Sequence, residues 1–325
     1  MNSFGTLFRI QIFGESHGPA VGVCIDGCPP GVSLSVADFT PDLNRRRAGA
    51  RGTTTRHEDD LPEIISGVYA GKTTGAPLVV LFANREQRPG DYEHLRHRPR
   101  PGHADFVASV RYKGFNDPRG GGHFSGRLTL PLVAAGVIAK KLLKDISISA
   151  ALVEAGGRQD ITAAVEEALN DGDSIGGLVE CRAQNIPAGW GEPFFDSVES
   201  VISHLAFAIP AIKGIEFGSG FKAASMEGSR HNDAIISKEG KTATNHAGGI
   251  SGGLTNGNEL LFRVAVKPAS SIAREQKSMN MKLGTVETLE VKGRHDACIA
   301  LRVPVVAEAI TAIALADFKL LAGNR

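Results

Sequence analysis

The stretch TLPLVAAGVIAKKLLK, residues 129–144, decides the class of fold. Its apolar residues run without a polar break from Leu130 to Ala139, and Pro131 lies where the first turn of a helix would be. Three lysines lie in the last turn, where positive charge suits the helix dipole. The stretch therefore predicts a helix over residues 129–144.

Strand patterns occur before and after this helix, but they do not alternate with helices in regular βαβ units. We predict strands over residues 7–13, 20–26, 78–82, 177–184 and 259–266. We predict further helices from Ser35 to the arginine run near residue 47 and over residues 161–170, 196–208 and 304–321. Short connections between strands favour antiparallel pairing. We therefore expect an α+β fold, a β-α-β layered sandwich with helices packed between antiparallel sheets, in a single domain over residues 1–325.

Two segments of the chain resemble each other in their order of elements. Residues 20–47 read as strand, Pro-Pro-Gly and helix, and residues 177–208 read as strand, Pro-Ala-Gly and helix. The similarity is compatible with an internal pseudo-duplication. The alternative is that both segments use one common way to turn a corner.

Composition and charge narrow the classes of function. The chain has 36 basic and 35 acidic residues and a net charge of +1, which argues against nucleic-acid or membrane partners. Four cysteines are too few for a disulfide scaffold, and neither they nor the ten histidines have the spacing of a metal site. The apolar tract 304–321 contains Glu308, Asp317 and Lys319, so we do not expect it to span a membrane. A cytoplasmic location is expected.

Basic residues cluster locally although the total charge is balanced. Arg45, Arg46, Arg47 and Arg51 lie close together, and residues 85–103 hold five arginines and three histidines. Arginine keeps its charge and binds phosphate or carboxylate through two hydrogen bonds. The alternative for the first cluster is a solvated basic helix end. The clusters indicate local binding of anions.

Two histidines lie in loops where they could transfer protons. Gly14-Glu15-Ser16-His17-Gly18 places His17 between two glycines, and Arg98-Pro99-Arg100-Pro101-Gly102-His103-Ala104-Asp105 places His103 near a carboxylate. Histidine exchanges protons near neutral pH. The alternatives are a histidine that caps a turn and a histidine that is merely solvated.

A glycine-rich loop leads into the helix at 129–144. Residues 119–127, RGGGHFSGR, offer bare main-chain amides, a serine and arginines at a helix start, which suits an anion. Later loops, Lys267–Ser271 and Arg294–Cys298, add further polar groups. No Gly-x-Ser-x-Gly elbow occurs, so a serine hydrolase is not indicated. From its residues the chain is predicted to be an enzyme that acts on a small polyanion.

The loop clusters, in this order, resemble the chorismate synthase family of the shikimate pathway, in its bacterial type. The resemblance runs through most of the chain. It is carried by Phe13–Gly18, Asp26–Gly31, Arg45–Arg47, Arg98–Asp105, Arg119–Gly122, Ser125–Arg127, Asp173–Gly176, Pro187–Pro193, Lys213–Glu216, Asn245–Gly249, Lys267–Ile272 and Arg294–Asp296.

This resemblance implies a lyase of aromatic amino acid biosynthesis. The family converts 5-enolpyruvylshikimate 3-phosphate to chorismate by anti-1,4 elimination of phosphate, with no net redox change but with a requirement for reduced FMN. It further implies a homotetramer with each FMN near a subunit contact. Bacterial members commonly take reduced flavin from an outside source, with NADPH as a candidate external reductant, and the sequence has no dinucleotide fingerprint; whether this protein reduces its own FMN stays open at this point.

The resemblance also implies roles for individual residues. His17 would protonate the departing phosphate, His103 would lie by the flavin and assist its charge changes, and Asp296 would take part in proton removal by way of the flavin. The substrate would be bound by Ser16, Arg46, Arg47, Arg51 and Arg127. FMN would be lined by His123, Phe124, Ser125, Ala211, Gly253, Lys267, Pro268, Ala269, Ser270, Ser271 and Arg294.

Four positions depart from the family pattern. His123-Phe124 replaces Arg-Ser or Arg-Ala after the glycines, Leu128 replaces Glu, and Ala297 replaces Pro. Most of these changes concern the expected flavin pocket. Two other interpretations therefore stay open: an FMN-binding protein that has lost the elimination, and an arginine- and glycine-rich RNA-binding protein.

Overall fold

Two antiparallel sheets form the outer layers of the fold. The computed structural model describes residues 1–54, 59–85, 97–291 and 295–323. The first sheet has the order β1-β2-β3-β7-β4. Its strands are β1 Ser3–Phe4, β2 Arg9–Gly14, β3 Ala20–Asp26, β4 Glu63–Ser66 and β7 Leu78–Ala83. A small hairpin, β5 Val68–Tyr69 with β6 Lys72–Thr73, lies between β4 and β7 along the chain.

The second sheet has the order β10-β13-β9-β8, and all its pairs are antiparallel. Its strands are β8 Ser147–Ala155, β9 Gly177–Gln184, β10 Ile212–Phe217 and β13 Leu260–Val266. Alternate residues of β13, from Leu260 to Val266, are buried, because successive side chains of a strand point to opposite faces. Two hairpins complete the strands: β11 Ile250–Ser251 with β12 Leu254–Thr255, and β14 Gln276–Asn280 with β15 Thr285–Leu289.

Two apolar helices fill the space between the sheets. The helices are α1 Thr40–Arg46, α2 Asp105–Arg111, α3 Thr129–Leu142, α4 Ile161–Asn170, α5 Val198–Ala206, α6 Gly228–His231 and α7 Val303–Gly323. α3 packs on β2, β3 and β7, α7 packs on β8 and β9, and the two helices pack on each other. A Cβ atom on Gly136 would lie 2.4 Å from the Ala309 Cβ, so glycine is needed where α3 and α7 meet. The layers are thus sheet, helix, helix, sheet, which confirms the predicted layered α+β fold.

The two halves of the chain have the same topology. In the first, β2, β3, α1, β4, β7 and α3 follow one another, and the four strands lie in the order β2-β3-β7-β4. In the second, β8, β9, α5, β10, β13 and α7 follow one another, and the strands lie in the order β8-β9-β13-β10. The second half adds α4 between its first two strands. This repeated topology agrees with the pseudo-duplication suggested by the sequence.

Buried acidic groups fasten the helix layer to its neighbours. Asp317 on α7 accepts main-chain N–H bonds from Thr6, Leu7 and Phe8 at 2.7–2.8 Å. Glu308, nine residues earlier on α7, accepts hydrogen bonds from both terminal nitrogens of the Arg45 guanidinium at 2.7 and 2.8 Å. These polar residues explain the interruptions in the last apolar tract. Among the described residues one helical segment, Ile299–Gly323, has a length and a mean hydropathy of 1.9 compatible with a membrane span, and 78% of its most apolar window is buried within the fold.

Candidate active site

A tight turn between β2 and β3 carries Ser16 and His17. Gly14 begins it with φ +95, and the N–H of Gly18 donates to Glu15 O at 3.1 Å. Both functional side chains are buried, Ser16 at 3% and His17 at 2% exposure. The turn is fastened to the glycine-rich loop, because Ser16 N donates to Gly122 O at 3.1 Å.

Asn84, directly after β7, holds this turn from a second side. Its amide Nδ2 donates to Glu15 O at 2.9 Å and to Gly18 O at 2.7 Å. Its Oδ1 accepts from Arg127 Nε at 2.5 Å. One buried amide thereby joins the turn that carries His17 to the arginine that precedes α3.

Asp60 joins two of the predicted substrate arginines. Its Oδ1 lies 3.0 Å from Arg127 Nη1, and its Oδ2 lies 3.3 Å from Arg46 Nη1. Arg46 is only 3% exposed and also donates to Thr129 Oγ1 at 3.0 Å. Arg46 thus supports Arg127 through their shared partner Asp60. A direct contact of Arg46 with an anion stays a prediction.

His103 contacts the carboxylate of Asp105 at the start of α2. His103 Nδ1 lies 2.6 Å from Asp105 Oδ1, and Arg100 donates to the same carboxylate from Nε at 2.8 Å and from Nη2 at 2.9 Å. Burial raises the pKa of Asp105, but the hydrogen bonds from Arg100 and His103 outweigh it and hold that pKa well below its usual range. Arg100 Nη2 also lies 3.1 Å from His103 Nδ1, where it could only donate. The shorter contact to an ionised carboxylate decides the tautomer: Nδ1 donates to Asp105, and Nε2 is the proton-exchanging atom.

The triple glycine passes between the two histidines. Gly120, Gly121 and Gly122 have φ values of +58, +84 and +53. A Cβ atom on Gly120 would lie 2.2 Å from His17 Cε1, and one on Gly121 would lie 3.1 Å from His103 Cε1. Only glycine permits both the left-handed main chain and the close approach of two imidazoles. The loop therefore brings the two predicted proton carriers to either side of one main-chain segment.

A basic cavity of about 640 Å³ opens beside this loop. The predicted flavin residues that line it are His123, Phe124, Ser125, Ala211, Lys267, Pro268, Ala269, Ser270 and Ser271. Lys213, Arg100 and Arg302 add positive charge. Burial, and to a lesser degree repulsion by Lys213, lower the pKa of Lys267. Cations that lie this close together are typical of a site that binds an anion.

The predicted catalytic residues meet at this cavity in different ways. His103 and Asp296 line it directly. Asp296 Oδ1 accepts from Thr54 N at 2.9 Å and lies 3.7 Å from Arg302 Nη1. His17 is not among the lining residues within the described chain, but it packs on Gly120, which is.

A second cavity, of about 840 Å³, lies on the α2 side of His103. Arg100, His103, Ala104 and Phe124 line both cavities. Arg119 lines the second one and pairs with Asp117 through Nε and Nη2, both at 2.8 Å. That hydrogen bonding lowers the pKa of Asp117, with burial acting in the opposite direction.

Several predicted binding residues are not among the described residues that line the basic cavity: the substrate residues Ser16, Arg46, Arg47, Arg51 and Arg127, and the flavin residue Gly253. The side chain of Arg51 is 76% exposed and pairs with Glu166 on α4. Gly253 lies in the β11–β12 turn, where its carbonyl accepts from Val198 N at 2.9 Å. Arg294 lies outside the described residues. The buried Nε of Arg47 makes no hydrogen bond to any residue that the structure describes, and a contact of Arg47 with an anion stays a prediction.

The departure at His123-Phe124 has a structural explanation. His123 Nδ1 lies 2.8 Å from Gly14 O, and His123 Nε2 lies 3.1 Å from Asn2 Oδ1. The imidazole therefore ties the glycine-rich loop to the first sheet while it borders the cavity. Phe124 is 38% exposed and packs at 6.3 Å against the ring of Tyr112.

Sequence reasoning missed the polar residues that hold the site together. Asp60 and Asn84 were not predicted, and neither were Lys213 and Arg302 at the cavity wall. A polar residue immediately after a buried strand, as at Asn84, was the available signal. Among the described residues no group of three or more histidine, cysteine or acidic side chains could hold a metal ion.

Comparison with known proteins identifies the family. The chorismate synthase family model matches residues 8–320. A chorismate synthase of Chitinophaga pinensis is 64% identical over 99% of this chain and 97% of its own length. Chorismate synthases of Dehalococcoides mccartyi and Thermococcus kodakarensis are 44% and 43% identical, each over 97% of its own length. A crystal structure of a chorismate synthase aligns with a TM-score of 0.76 and 26% identity, over 98% of this chain and 93% of the other.

The matches extend over both sheets, the helix layer and all the loops that form the cavity walls. The chain belongs to the chorismate synthase family and is a chorismate-forming lyase of the shikimate pathway.

Proposed function

We propose that the basic cavity and the two histidine loops together form the active site for the anti-1,4 elimination of phosphate from 5-enolpyruvylshikimate 3-phosphate. The observation that carries this proposal is that His103, Asp296 and Gly120 line one cavity, with His17 packed against Gly120. The substrate bears a phosphate and two carboxylates. Its charge matches an excess of cationic side chains at the cavity wall.

The residues of the basic cavity suit a flavin mononucleotide. Lys267 Nζ and Ser270 Oγ, 2.8 Å apart, offer a cation and a hydroxyl to a phosphate. Phe124, Ala211 and Pro268 offer apolar surface to a ring system. When bound, reduced FMN supplies electron density for carbon–oxygen cleavage without net redox change.

We assign the proton for the departing phosphate to His17. The imidazole is buried and packs against Gly120, whose main chain lines the cavity. Arg127 donates to Asn84, which also holds the turn that carries His17. Its positive charge stabilises the leaving group. General acid catalysis and charge stabilisation then act together on one oxygen-rich group.

Asp296 and His103 occupy the wall of the cavity. Asp296 Oδ1 is held by the N–H of Thr54, so we assign Oδ2 to the removal of the ring proton. His103 Nε2, with its tautomer fixed by Asp105, adjusts to charge changes in the cavity by exchanging a proton. Both groups take part in proton movement, and neither is proposed to form a covalent bond.

We further propose that the protein is a homotetramer in the cytoplasm and takes reduced FMN from an external source, with NADPH at most as an indirect reductant. A subunit contact near the flavin would account for the exposed apolar side chains beside the second cavity. Phe106 and Val110 on α2 are 49% and 64% exposed, and Phe115 is 92% exposed. Sedimentation of the purified chain tests the tetramer, and a monomer would contradict it.

An anaerobic assay tests the activity. Purified protein is mixed with photoreduced FMN and the substrate, and chorismate is followed by its absorbance. We expect product and phosphate in equal amounts, and none without reduced FMN. Flavin binding without product would favour the alternative of a flavin-binding protein that has lost the elimination. Lys267→Gln should weaken FMN binding, whereas the exposed Lys238→Gln should not.

A further inference from the structure

Asn84 makes hydrogen bonds to both parts of the site that must act on the leaving group. It is 9% exposed and follows β7 directly. Its Nδ2 donates to the carbonyls of Glu15 and Gly18, and its Oδ1 accepts from Arg127 Nε. These partners fix the amide orientation, because carbonyl oxygens require a donor and a guanidinium requires an acceptor.

The two parts that Asn84 joins belong to different elements. His17 lies in the turn between β2 and β3, whereas Arg127 lies in the loop before α3. Asp60 restrains the far side of Arg127, from Oδ1 to Nη1 at 3.0 Å. The arginine is thereby fixed between Asp60 and Asn84, and Asn84 is the member of this pair that also holds the His17 turn.

We infer that Asn84 is a positioning residue that sets the separation of His17 and Arg127, so that proton transfer and charge stabilisation reach the departing phosphate together. The inference rests on the proposed roles of those two residues. An error of about 1 Å in such a geometry costs roughly 100-fold in rate. A residue that acts in this way affects turnover through His17 and does not touch the substrate.

Two substitutions separate the two ends of the amide. Asn84→Asp keeps the size and the acceptor for Arg127 but removes the donor from Glu15 O and Gly18 O. Asn84→Ala removes both. We expect Asn84→Asp to lower kcat roughly 10- to 100-fold with substrate affinity close to that of the unaltered protein. We expect Asn84→Ala to lower kcat and to weaken substrate binding as well, because Arg127 loses its restraint.

A double-mutant cycle with His17→Ala tests whether Asn84 acts through His17. The cycle uses single-turnover rates of the full chain with reduced FMN. If Asn84 positions His17, Asn84→Asp lowers the rate little further once His17 is absent. Rate losses that multiply in the double variant would show a general structural effect and overturn the inference, as would Asn84→Asp with an unchanged kcat.

The controls keep the result interpretable. Asn258→Asp is a matched control, because Asn258 Nδ2 donates to Gly240 O at 3.1 Å and its Oδ1 accepts from Thr242 N at 3.1 Å, outside both cavities. It should leave kcat unchanged. If Asn84→Asp does not fold at the assay temperature, Asn84→Ala enters the same cycle: a combined rate loss smaller than the product of the two single losses supports the inference, and losses that multiply in full overturn it. Full activity of His17→Ala alone would refute the proposed role of His17, whereas an impaired His17→Ala with an active Asn84→Asp would refute only this inference.

Discussion

His17 and Gly120 are in direct contact: a Cβ atom on Gly120 would lie 2.2 Å from His17 Cε1 and 2.3 Å from His17 Nδ1. Gly120→Ala must therefore displace the imidazole or the loop. We expect kcat to fall roughly 100-fold or more, because the proton donor is moved by about an ångström. Steady-state assay with reduced FMN measures the loss.

Gly71→Ala is the control for backbone strain at Gly120. Gly71 has φ +74 and no heavy atom within 4 Å of the added carbon, whereas Gly120 has φ +58 and the His17 ring. Both variants should lose about 1 kcal/mol of stability from the left-handed main chain. A Gly71→Ala protein as inactive as Gly120→Ala would show that strain, and not the contact with His17, explains the loss.

Asp105→Asn should impair catalysis through the tautomer of His103. The carboxylate accepts a hydrogen bond from His103 Nδ1 at 2.6 Å. The amide of asparagine can either donate to that nitrogen or accept from it, so it no longer fixes the tautomer. We expect kcat to fall roughly 100-fold, with substrate affinity less affected. The exposed Asp145→Asn should have unchanged kinetics, and the same result for Asp105→Asn would contradict the assigned tautomer.

The pH profile of the wild type provides a related test. The pKa of Asp105 lies below its usual range, so the carboxylate stays ionised throughout the neutral range. The stability that it contributes is present above the pKa of an unfolded aspartate, about 3.9, and is lost as pH falls toward the folded value. Between about pH 5 and 9, the rate profiles of the wild type and of Asp105→Asn should have the same inflections, because Asp105 does not titrate in this range.

Binding of anionic ligands should weaken at alkaline pH because of Lys267. Its pKa lies below the ordinary value of 10.5 through burial and repulsion by Lys213. As pH rises through this lowered pKa, Lys267 loses its charge and the FMN phosphate loses a partner. Titration of FMN fluorescence at several pH values should show a rising Kd, and Lys267→Gln should remove this step. A Kd that stays flat up to the ordinary lysine range would contradict the assignment.

Glu308 should stabilise the helix layer in a pH-dependent way. Burial raises its pKa, but Arg45 and Lys140 outweigh burial and lower it. Its stability contribution is therefore present above the ordinary carboxyl pKa and is lost as pH falls toward the folded value. We expect Glu308→Gln to cost roughly 1–3 kcal/mol at pH 7, less than a fully buried pair because the side chain of Arg45 is 45% exposed. Chemical unfolding at pH 7 and near pH 4 measures the difference, which should shrink at the lower pH; an equal cost at both values would contradict this account.

Most of the fold could be predicted from the sequence, because its long elements have strong patterns. The helices at 129–144 and 304–321 appear as α3 Thr129–Leu142 and α7 Val303–Gly323, and the strand at 177–184 is β9 Gly177–Gln184. β8 was missed, since SISAALVEA mixes small and polar residues and its burial depends on α7 behind it. The β14–β15 hairpin was also missed, because its residues QKSMN and TVETL are mostly polar.

The site was predictable where its chemistry lies in loop motifs and unpredictable where it depends on contacts between distant residues. His17 and His103 could be found from their glycine and proline surroundings. Asp60 and Asn84 could not, because their role arises only when Arg127, 67 and 43 residues away along the chain, folds against them. Arg51 has a contact that the basic run does not predict, because its partner Glu166 lies on α4, and its role in anion binding stays a prediction.

The central claim, that His17 donates the proton to the departing phosphate, is tested most directly by the turnover of His17→Ala. The variant is assayed anaerobically with reduced FMN and substrate, and His231→Ala serves as the control. The ring of His231 stacks on His246 outside both cavities. We predict that His17→Ala binds FMN and unfolds like the wild type, but forms chorismate roughly 100-fold or more slowly, whereas His231→Ala is fully active. Wild-type turnover by His17→Ala would contradict the account.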